Sequence, residues 1–566
     1  LALKVYPHMA VFTKKSPHSN YTVPKPVVAN PTVAEPTKPN STPPKIAIIG
    51  SGVSGLTCAY YLKDSHAVTM FESNDYLGGH VNTLDVTVTE RSLFDNPFFN
   101  NPFRPSTEKV AIDTGFIVFN ERTYPNFIRL LDELNVPFQK AEMSFSVKNT
   151  YINFEYNGHT LNSLFSQRRH VLSPRFWQFV QQILRFNRET KSLLANFRQA
   201  DKMQQAALSE QTLGDYLDSH DYGELFKTNY LVPMVSAIWS MGMDDAKRFP
   251  LLFFAQFFDN HGLLDVVNRP QWFTLVGGSK QYVNALITRL AAAGTTLYIN
   301  TPVQSVTRGK DGVSIEFIHQ GTRQTQVFDD VVFACHADVA RRLLADITET
   351  ESAILAAFEY TDNEAVLHTD TQVLPKKPLA WASWNYAIDK PTARVADQKP
   401  ILTYHMNILE RLTAKHNYLV TLNTPINEAH VIKHVDYRHP VYDNKMTEAQ
   451  KRWHEISAKR HTHFCGAYWF NGFHEDGVKS GLRVCQSLGV DIDILVTTNT
   501  TAATTAAQIK RLSKPSKPSA KFTVSKLPSH ADKKRSVLQR RQVTATTNHA
   551  FCQNLAHDGL CNTPQR

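Results

Sequence analysis

The sequence predicts an α/β protein in which two domains are interleaved along the chain, and three observations support this prediction. Apolar runs typical of buried strands recur early, in the middle and late in the chain, beginning at Lys45, Val331 and Thr462. Helical periodicity dominates one intervening stretch, and alternating aromatic segments typical of an antiparallel sheet dominate another. At 566 residues the chain exceeds a single hydrophobic core, so two or more domains are expected.

The first element is a strand, a tight turn and a helix. The run Lys45-Ile-Ala-Ile-Ile leads into Gly50, Gly52 and Gly55, which have the spacing GxGxxG. Gly50 permits the tight turn, Gly52 allows the backbone to approach a pyrophosphate, and Gly55 lets the helix pack closely on the strand. A second apolar run ends at Glu72, whose carboxylate can accept hydrogen bonds from ribose hydroxyls. The segment predicts a Rossmann-type dinucleotide site, although a structural glycine turn is the alternative.

The elements that follow divide the chain into seven predicted segments. These are a disordered leader at 1–44, dinucleotide-binding segments at 45–124, 261–346 and 456–496, a helical segment at 125–260, an antiparallel sheet at 347–455, and a basic low-complexity tail at 497–566. The helical segment and the antiparallel sheet are expected to form a mixed α+β substrate domain. A chain that returns three times to one domain is unlike a simple dehydrogenase.

An aromatic stripe lies near the end of the helical segment. Phe253, Phe254, Phe257 and Phe258 recur at positions that share one face of a helix. Two interpretations are open for this stripe: a hydrophobic core, or the wall of an apolar substrate tunnel.

Positive charge is concentrated at the two ends of the chain. The formal net charge is +10, but the 12 Lys and Arg of residues 497–566 face only two acids, and residues 1–44 carry five Lys against one Glu. The two ends together contribute +14, which leaves about −4 for residues 45–496. The basic tail could contact nucleic acid or an anionic membrane, but it lacks interleaved aromatic residues. No specific nucleic-acid partner is therefore predicted, and a solvated segment is the common interpretation.

Cysteine usage and hydropathy favour a cytoplasmic protein. Six cysteines form no CxxC pair, and four of them lie in apolar runs, as buried free thiols do. This pattern is typical of a reducing compartment. No apolar run approaches the length of a membrane span. His461 and His463 have no further ligands nearby in sequence, and no HExxH occurs, so no metal site is predicted.

Four motifs together resemble the flavin-dependent amine oxidase and phytoene desaturase superfamily over roughly residues 45–494. They are the opening glycine turn with Glu72, the run Leu77-Gly78-Gly79-His80, the run Val276-Gly277-Gly278-Ser279 with Val303 beyond it, and Cys465-Gly466 leading into Glu475-Asp476-Gly477-Val478. Within that superfamily the chain is similar to a bacterial subgroup whose genes often lie beside cyclopropane-fatty-acid synthase genes. The superfamily usually has arginine where this chain has His80.

The resemblance implies FAD as the cofactor. The residues that it implies for binding FAD are Gly50, Gly52, Val53, Ser54, Gly55, Glu72, Gly78, Gly79, His80, Gly115, Val303, Gly466, Glu475, Asp476, Gly477 and Val478. Asp476 is expected to be the N-cap of the last helix, whose small Gly477 and Gly481 would let another group come close. No cysteine upstream of Gly466 is placed to suggest covalent attachment of the flavin in the manner of the monoamine oxidases, so non-covalent FAD is expected. No second GxGxxG motif indicates a nicotinamide domain.

Aromatic and histidine side chains are the candidates for the substrate pocket. Trp384 and Tyr386 lead the candidates for positioning substrate, followed by Tyr468 and Trp469, and each could equally be a core residue. His368 leads the candidates for acid–base work. His405 and His474 are further acid–base candidates, and Tyr124 with Arg122 could anchor a carboxylate. A buried structural histidine is the common alternative for each histidine.

The resemblance implies an FAD-dependent oxidoreductase with a small-molecule, acyl-lipid substrate. The expected reaction is hydride transfer from a substrate C–H bond, giving either desaturation or a double-bond shift. A flavin amine oxidase is the alternative within enzymes. A flavin-binding accessory protein without turnover is the alternative from another class.

Overall fold

The computed structural model describes residues 42–90, 106–239, 246–265, 269–389 and 400–496. Element labels number the strands and helices of these residues along the chain. The predicted leader, apart from residues 42–44, and the predicted basic tail lie outside the described residues.

A five-stranded parallel sheet organises the dinucleotide-type part of the chain. In spatial order its strands are β10 (Thr296–Tyr298), β2 (Ala67–Phe71), β1 (Lys45–Ile49), β14 (Asp330–Phe333) and β20 (Thr462–Phe464). β1 pairs in parallel with both β2 and β14. The apolar residues of β1 are buried, as expected for a parallel sheet that is covered on both faces. The strands come from all three segments predicted to bind a dinucleotide, and the predicted fold class is confirmed.

A seven-stranded mixed sheet organises the second part. In spatial order its strands are β19 (Val431–Pro440), β15 (Tyr360–His368), β18 (Leu419–Leu422), β17 (Ile401–His405), β16 (Trp384–Ile388), β7 (Phe145–Asn149) and β8 (Phe154–Asn157). All pairs are antiparallel except β16 with β7. β7 and β8 lie inside the segment in which helical periodicity was expected to dominate. Strands of four or five residues are too short for their periodicity to stand out from neighbouring helices.

Three smaller sheets and a set of helices complete the described residues. The sheets are β3 (Thr83–Glu90) with β4 (Ser106–Asp113); β5 (Val118–Asn120), β9 (Trp272–Leu275) and β6 (Phe138–Lys140); and β11 (Val303–Arg308), β12 (Val313–His319) and β13 (Thr322–Phe328). The helices are α1 (Val53–Leu62), α2 (Pro125–Leu134), α3 (Leu161–Leu164), α4 (Pro174–Gln199), α5 (Lys202–Glu210), α6 (Leu213–Ser219), α7 (Glu224–Phe226), α8 (Val232–Trp239), α9 (Leu251–Asn260), α10 (Lys280–Ala292), α11 (Ala337–Leu343), α12 (Glu349–Ala356), α13 (Met406–Leu409), α14 (Asn444–Lys451), α15 (Trp453–Ile456) and α16 (His474–Ser487). A 3₁₀ helix, Arg168–Leu172, precedes α4, and a π-helical turn, Lys227–Leu231, precedes α8. Within the described part of the chain, no helix is both long and apolar enough to cross a membrane.

The aromatic stripe of α9 lies in the hydrophobic core and also reaches a cavity. Phe254 and Phe258 are buried in the hydrophobic core. Phe257 belongs to the same core and also lines the large cavity described below. The stripe therefore supports one wall of that cavity from behind.

The two glycines of α16 make room for another helix. A Cβ atom on Gly477 would lie 2.4 Å from Val53 Cγ1, and one on Gly481 would lie 2.8 Å from the Ser54 carbonyl oxygen. The group that approaches these glycines is therefore α1, which begins at the glycine turn. This close packing fixes the start of α1 against the start of α16.

The prediction that Asp476 is the N-cap of the last helix is wrong. α16 begins at His474, its N-cap is Phe473, and Asp476 is the third residue of the helix. The Asp476 carboxylate accepts a hydrogen bond from the Phe473 N–H at 3.1 Å. An acid at the third position of a helix binds the N–H of the N-cap residue from inside the first turn. In sequence it therefore lies three residues after the N-cap itself.

A buried pair of carboxyl groups lies behind β4. The Asp113 N–H donates to Glu410 Oε1 at 3.2 Å, and both side chains are buried. Burial raises the pKa of Asp113, and burial together with the Asp113 charge raises the pKa of Glu410 well above its usual range. The fold therefore favours a protonated Glu410.

Glu410→Gln is expected to stabilise the protein at about pH 8, by on the order of 1 kcal/mol. In the unfolded chain Glu410 is ionised above its usual pKa, so the wild type loses stability as the pH rises from that value towards the raised pKa of the folded state. A neutral amide removes this cost. Thermal unfolding at several pH values measures the effect, with the exposed Glu210→Gln as a control. Equal unfolding temperatures for wild type and Glu410→Gln at all pH values would contradict this.

Candidate cofactor and substrate site

A single cavity of about 1570 Å³ runs from the glycine turn to helix α4. Pockets for one small ligand usually occupy about 300–1,000 Å³, so this cavity has room for two. The carboxyl ends of β1, β2, β14 and β20 meet at one edge of the parallel sheet. Ligands of open α/β sheets bind at this edge, where the strand order reverses. Here the reversal is at β1, because β2 lies on one side of it and β14 on the other.

The glycine turn has the geometry of a phosphate cradle. Gly50 has φ of +105°, and a Cβ there would lie 2.9 Å from the Ala334 carbonyl oxygen. A Cβ on Gly55 would lie 2.1 Å from the Gly50 carbonyl oxygen, so the helix touches the turn directly. A Cβ on Gly52 would meet no atom within 4 Å. Gly52 therefore faces open space in the cavity, which Val53 and Ser54 line beside it.

Glu72 holds the turn in place from the end of β2. Its Oε2 accepts hydrogen bonds from the Ser51 N–H at 2.9 Å and from the Ser51 hydroxyl at 2.6 Å. Its Oε1 accepts a hydrogen bond from the Asn74 N–H at 2.9 Å. The carboxylate is buried and lines the cavity next to the turn. It joins two strand ends and stands where a ribose would meet the protein.

A second glycine pair covers the turn. A Cβ on Gly79 would lie 3.2 Å from the Gly52 Cα atom, and Gly78 N–H donates to the Ser51 carbonyl at 3.1 Å. Gly115 approaches the His80 carbonyl so closely that a Cβ would lie 2.1 Å away. The structure therefore brings four predicted residues to the cavity, namely Gly78, Gly79, His80 and Gly115.

Three histidines surround this end of the cavity. The His80 ring lies 6.1 Å from the His336 ring and 5.5 Å from the His439 ring, and Tyr437 stacks on His80 at 5.2 Å. All four side chains line the cavity. His336 and His439 were not predicted, because they are far apart in sequence and belong to no motif.

Burial keeps these histidines neutral. It lowers the pKa of His80, that of His336 to about 4 and that of His439 to about 3. Arg438 is close by, but Asp338 and Asp362 pair with it at 2.9 and 3.2 Å. The histidine cluster therefore has little fixed positive charge of its own.

FAD affinity is expected to weaken as the pH rises above about 4, the pKa of His336 in the free protein, by up to about tenfold per pH unit for each proton taken up. A pyrophosphate at the glycine turn would favour protonated histidine, whereas the lowered pKa values keep the free site neutral. Binding then takes up protons, and a rising pH opposes it. Quenching of FAD fluorescence at several pH values measures the affinity. A flat profile for the wild type, or an equally steep one for His80→Gln, would contradict this.

The described residues fit FAD. His80 Nε2, the Tyr468 hydroxyl and Trp384 Nε1 are buried without a hydrogen-bond partner among the described residues, and all three side chains line the cavity. Gly52 leaves an open cradle, and a Cβ on Gly466 would strike the Tyr468 ring at 2.2 Å. The cavity thus offers both unpaired polar atoms and close backbone approach along the sheet edge. Val303 and Gly466 also line it.

Glu475 serves a different element. Its carboxylate accepts hydrogen bonds from Asn126 Nδ2 at 2.6 Å, from the Asn126 N–H at 3.1 Å and from the Phe127 N–H at 2.9 Å. It caps the start of α2, and burial raises its pKa to about 8 against the effect of these donors. Glu475, Asp476, Gly477 and Val478 do not line the cavity, and neither does Gly55. The side chain of α16 that reaches it is His474.

His474 is the first residue of α16. Its ring stacks on Phe116 at 3.6 Å, and Nε2 is hydrogen-bonded to the Tyr282 hydroxyl at 2.7 Å. Burial lowers its pKa to about 3, so the ring is neutral. A neutral histidine fixed by stacking and by a tyrosine provides a polar wall without a charge.

The far half of the cavity is predominantly apolar. The side chains that line it include Met143, Leu164, Val180, Ile183, Leu184, Met234, Ile238 and Phe257. A few polar groups interrupt this wall, among them Asn187, Tyr230 and Arg269. The Asn187 Oδ1 atom is buried without a partner among the described residues. The cavity therefore suits a long apolar ligand with one polar end.

The structure separates the three catalytic candidates. Trp384 lines the cavity and packs edge-on against Tyr404 at 5.0 Å. Tyr386 is on the same strand but is buried away from the cavity. His368 is fully buried, with Nε2 hydrogen-bonded to the Thr421 hydroxyl at 2.6 Å and Nδ1 accepting from the Asp370 N–H at 3.0 Å. Both of its nitrogens are thus occupied, one by a residue of β18 and the other by the backbone just after β15.

The other candidates divide in the same way. Tyr124, Tyr468 and His474 line the cavity. Trp469 and His405 are buried elsewhere, and Arg122 pairs with Asp265 at 3.7 Å. Among the described residues, no group of three or more His, Cys, Asp or Glu side chains is placed to hold a metal ion.

The chain belongs to the family of flavin-containing amine oxidoreductases, whose model matches residues 53–378. It is accordingly an FAD-dependent oxidoreductase. No curated protein matches the sequence significantly.

Solved structures share the fold at low sequence identity. Cyclohexylamine oxidase from Brevibacterium oxydans IH-35A is 15% identical with a TM-score of 0.53, and the match covers 79% of this chain and 99% of that one. A CLA-producing fatty acid isomerase from P. acnes is 13% identical with a TM-score of 0.53 and the same two coverages. Putrescine oxidase bound to putrescine is 13% identical with a TM-score of 0.53, again at 79% and 99% coverage. These likenesses establish the fold.

Proposed function

We propose that this oxidoreductase acts on a long apolar acyl substrate, such as an unsaturated fatty acid, and holds its FAD non-covalently. The observation that carries the proposal is the far half of the cavity, where aliphatic and aromatic walls lead to a rim that contains Arg269. Arg269 Nε donates to the Asp265 carbonyl at 2.7 Å, and among the described residues its other N–H groups have no partner, so they can bind a carboxylate. An ammonium group at this rim would face like charge.

The residues of the cavity then have separable tasks. Arg269, Tyr230 and Asn187 would hold the polar end of the substrate. Phe257 and the aliphatic wall would exclude water and align the carbon chain. Bound FAD would supply a ring that accepts a hydride from a substrate C–H bond. The outcome is either desaturation, with the hydride and a proton removed from adjacent carbons, or a redox-neutral shift of a double bond.

The test is anaerobic titration of the FAD-loaded protein with unsaturated fatty acids, phospholipids and amines. Fatty acids are expected to bleach the flavin absorbance or to yield conjugated dienes, whereas amines leave the flavin oxidised. Bleaching by amines alone, with release of an aldehyde, would contradict the proposal. Failure of every substrate would favour a flavin-binding accessory protein.

One observation favours amine oxidation as a second candidate. Tyr360 and Tyr468, whose rings lie 6.5 Å apart, line the cavity beside Gly466, and such aromatic rings can flank an amine beside the flavin. Cyclohexylamine oxidase and putrescine oxidase share this fold, and so does the fatty acid isomerase. The fold therefore does not decide between the two substrates. The apolar far half and its arginine favour the acyl substrate.

A further inference from the structure

Large apolar side chains are exposed around the start of α4. Leu172 is 88% exposed, Leu161 71%, Leu184 49%, Val171 45% and Trp177 44%. Soluble surfaces rarely gather several large apolar side chains, and such gatherings mark interaction sites. These five residues come from α3, the 3₁₀ helix and the first three turns of α4.

Contacts join these residues into one surface. Trp177 Nε1 donates to the Val171 carbonyl at 2.9 Å, and the Trp177 ring lies 5.3 Å from the Phe165 ring. Arg168 donates to Asn162 Oδ1 at 2.7 Å, next to Leu161 in α3. Trp177 and Leu184 are seven residues apart on α4 and therefore share one face of that helix.

The charges on this surface have one sign. From Tyr156 to Arg188 the sequence contains five arginines and no Asp, Glu or Lys. Arg168, Arg169 and Arg175 are exposed, and among the described residues none of the three forms an ion pair with a carboxylate. We define the docking face as Leu161, Val171, Leu172, Trp177 and Leu184 together with these three arginines.

The docking face surrounds an opening of the large cavity. Leu161 and Leu184 are exposed and also line the cavity, so both residues of the docking face stand where the cavity wall meets the surface. Leu184 lines a second cavity of about 520 Å³ as well, together with Arg188, Lys191 and Asp265. This end of the cavity thus combines the apolar Leu184 with basic side chains, one of which, Lys191, is paired with Asp265.

We propose that the docking face binds the surface of an anionic phospholipid bilayer, from which an apolar substrate enters the cavity past Leu161 and Leu184. Leucine and tryptophan side chains insert into the interfacial region of a membrane, while neighbouring arginines bind anionic headgroups. Apolar side chains and arginines together on one exposed surface therefore fit an anionic bilayer. The entry route rests on the acyl substrate proposed above, whereas the binding of the bilayer does not.

The test is sedimentation of the full-length, FAD-loaded protein with vesicles, without any turnover. Wild type is expected to bind vesicles of phosphatidylcholine with phosphatidylglycerol more tightly than vesicles of phosphatidylcholine alone. Leu172→Glu should weaken binding to the anionic vesicles by about tenfold or more, because it loses an apolar anchor and adds a repelled charge. Arg175→Glu should weaken it by a smaller factor. The matched controls are Val327→Glu on β13, which is 64% exposed, and Arg341→Glu on α11.

Several results would overturn the proposal. One is an absence of binding by the wild type to anionic vesicles. Another is equal binding by wild type and Leu172→Glu, because the basic residues 510–541 are present in both and would then account for the binding. A third is a loss of binding to anionic vesicles in Val327→Glu that equals the loss in Leu172→Glu. A change of oligomeric state in Leu172→Glu without vesicles would instead assign the face to a second copy of the chain. Flavin absorbance and the unfolding temperature show that each variant is folded.

Discussion

Gly52→Val is expected to leave the protein folded but to weaken FAD binding by at least about 100-fold, equivalent to about 2.7 kcal/mol. A Cβ at this position meets no protein atom within 4 Å, and its φ of −61° suits any residue. The folded chain therefore accommodates the side chain, whereas the branched carbons fill the space through which a pyrophosphate approaches the turn. Isothermal titration of the apoprotein with FAD measures the loss.

Gly158→Val is the matched control for this experiment. Gly158 also has no atom within 4 Å of an added Cβ, but it lines the far half of the same cavity. Its FAD affinity and unfolding temperature should match those of the wild type. Tight FAD binding by Gly52→Val would show that the cofactor does not use the glycine turn.

Ile183→Trp is expected to lower kcat/KM for a long-chain substrate by about 100-fold while FAD content stays at the wild-type level. Ile183 lines the far half of the cavity on α4, and an indole there fills the channel between α4 and the walls of α8 and α9. A displaced carbon chain no longer holds the reacting C–H bond against the flavin ring. Steady-state kinetics together with flavin absorbance separates the two effects.

Asn196→Trp tests whether a tryptophan on α4 is harmful in itself. Asn196 is exposed on the same helix and does not line the cavity. Its kinetics should be those of the wild type. Normal turnover by Ile183→Trp would mean that the substrate does not enter the far half of the cavity.

Local sequence was sufficient for the first part of the fold and its glycine turn. Gly50, Gly52 and Gly55 lie within six residues, and each has a steric reason that is independent of the rest of the chain. Glu72 follows because the second strand of a βαβ unit ends beside the first. For these residues spacing alone gives the geometry.

Tertiary contacts decided what local sequence could not. His336 and His439 join His80 only because β14 and β19 bring distant segments to the same end of the cavity. Glu475 has the sequence context of a cofactor contact, yet the start of α2 supplies three donors that bind its carboxylate. His368 resembles a catalytic histidine in sequence, but the Thr421 hydroxyl of the neighbouring strand and the Asp370 N–H just after its own strand occupy both nitrogens. Spacing along one chain carries no signal for such partners.

The central claim is that one cavity holds FAD at the glycine turn and an acyl chain in its apolar far half. A crystal structure of the FAD-loaded protein with a bound unsaturated fatty acid tests this claim most directly. The carboxylate is expected at Arg269 and the carbon chain along Ile183, Met234 and Phe257, with a double bond against the flavin ring. A fatty acid bound elsewhere, or a far half closed to it while an amine occupies the site near Tyr468, would contradict an acyl-binding far half.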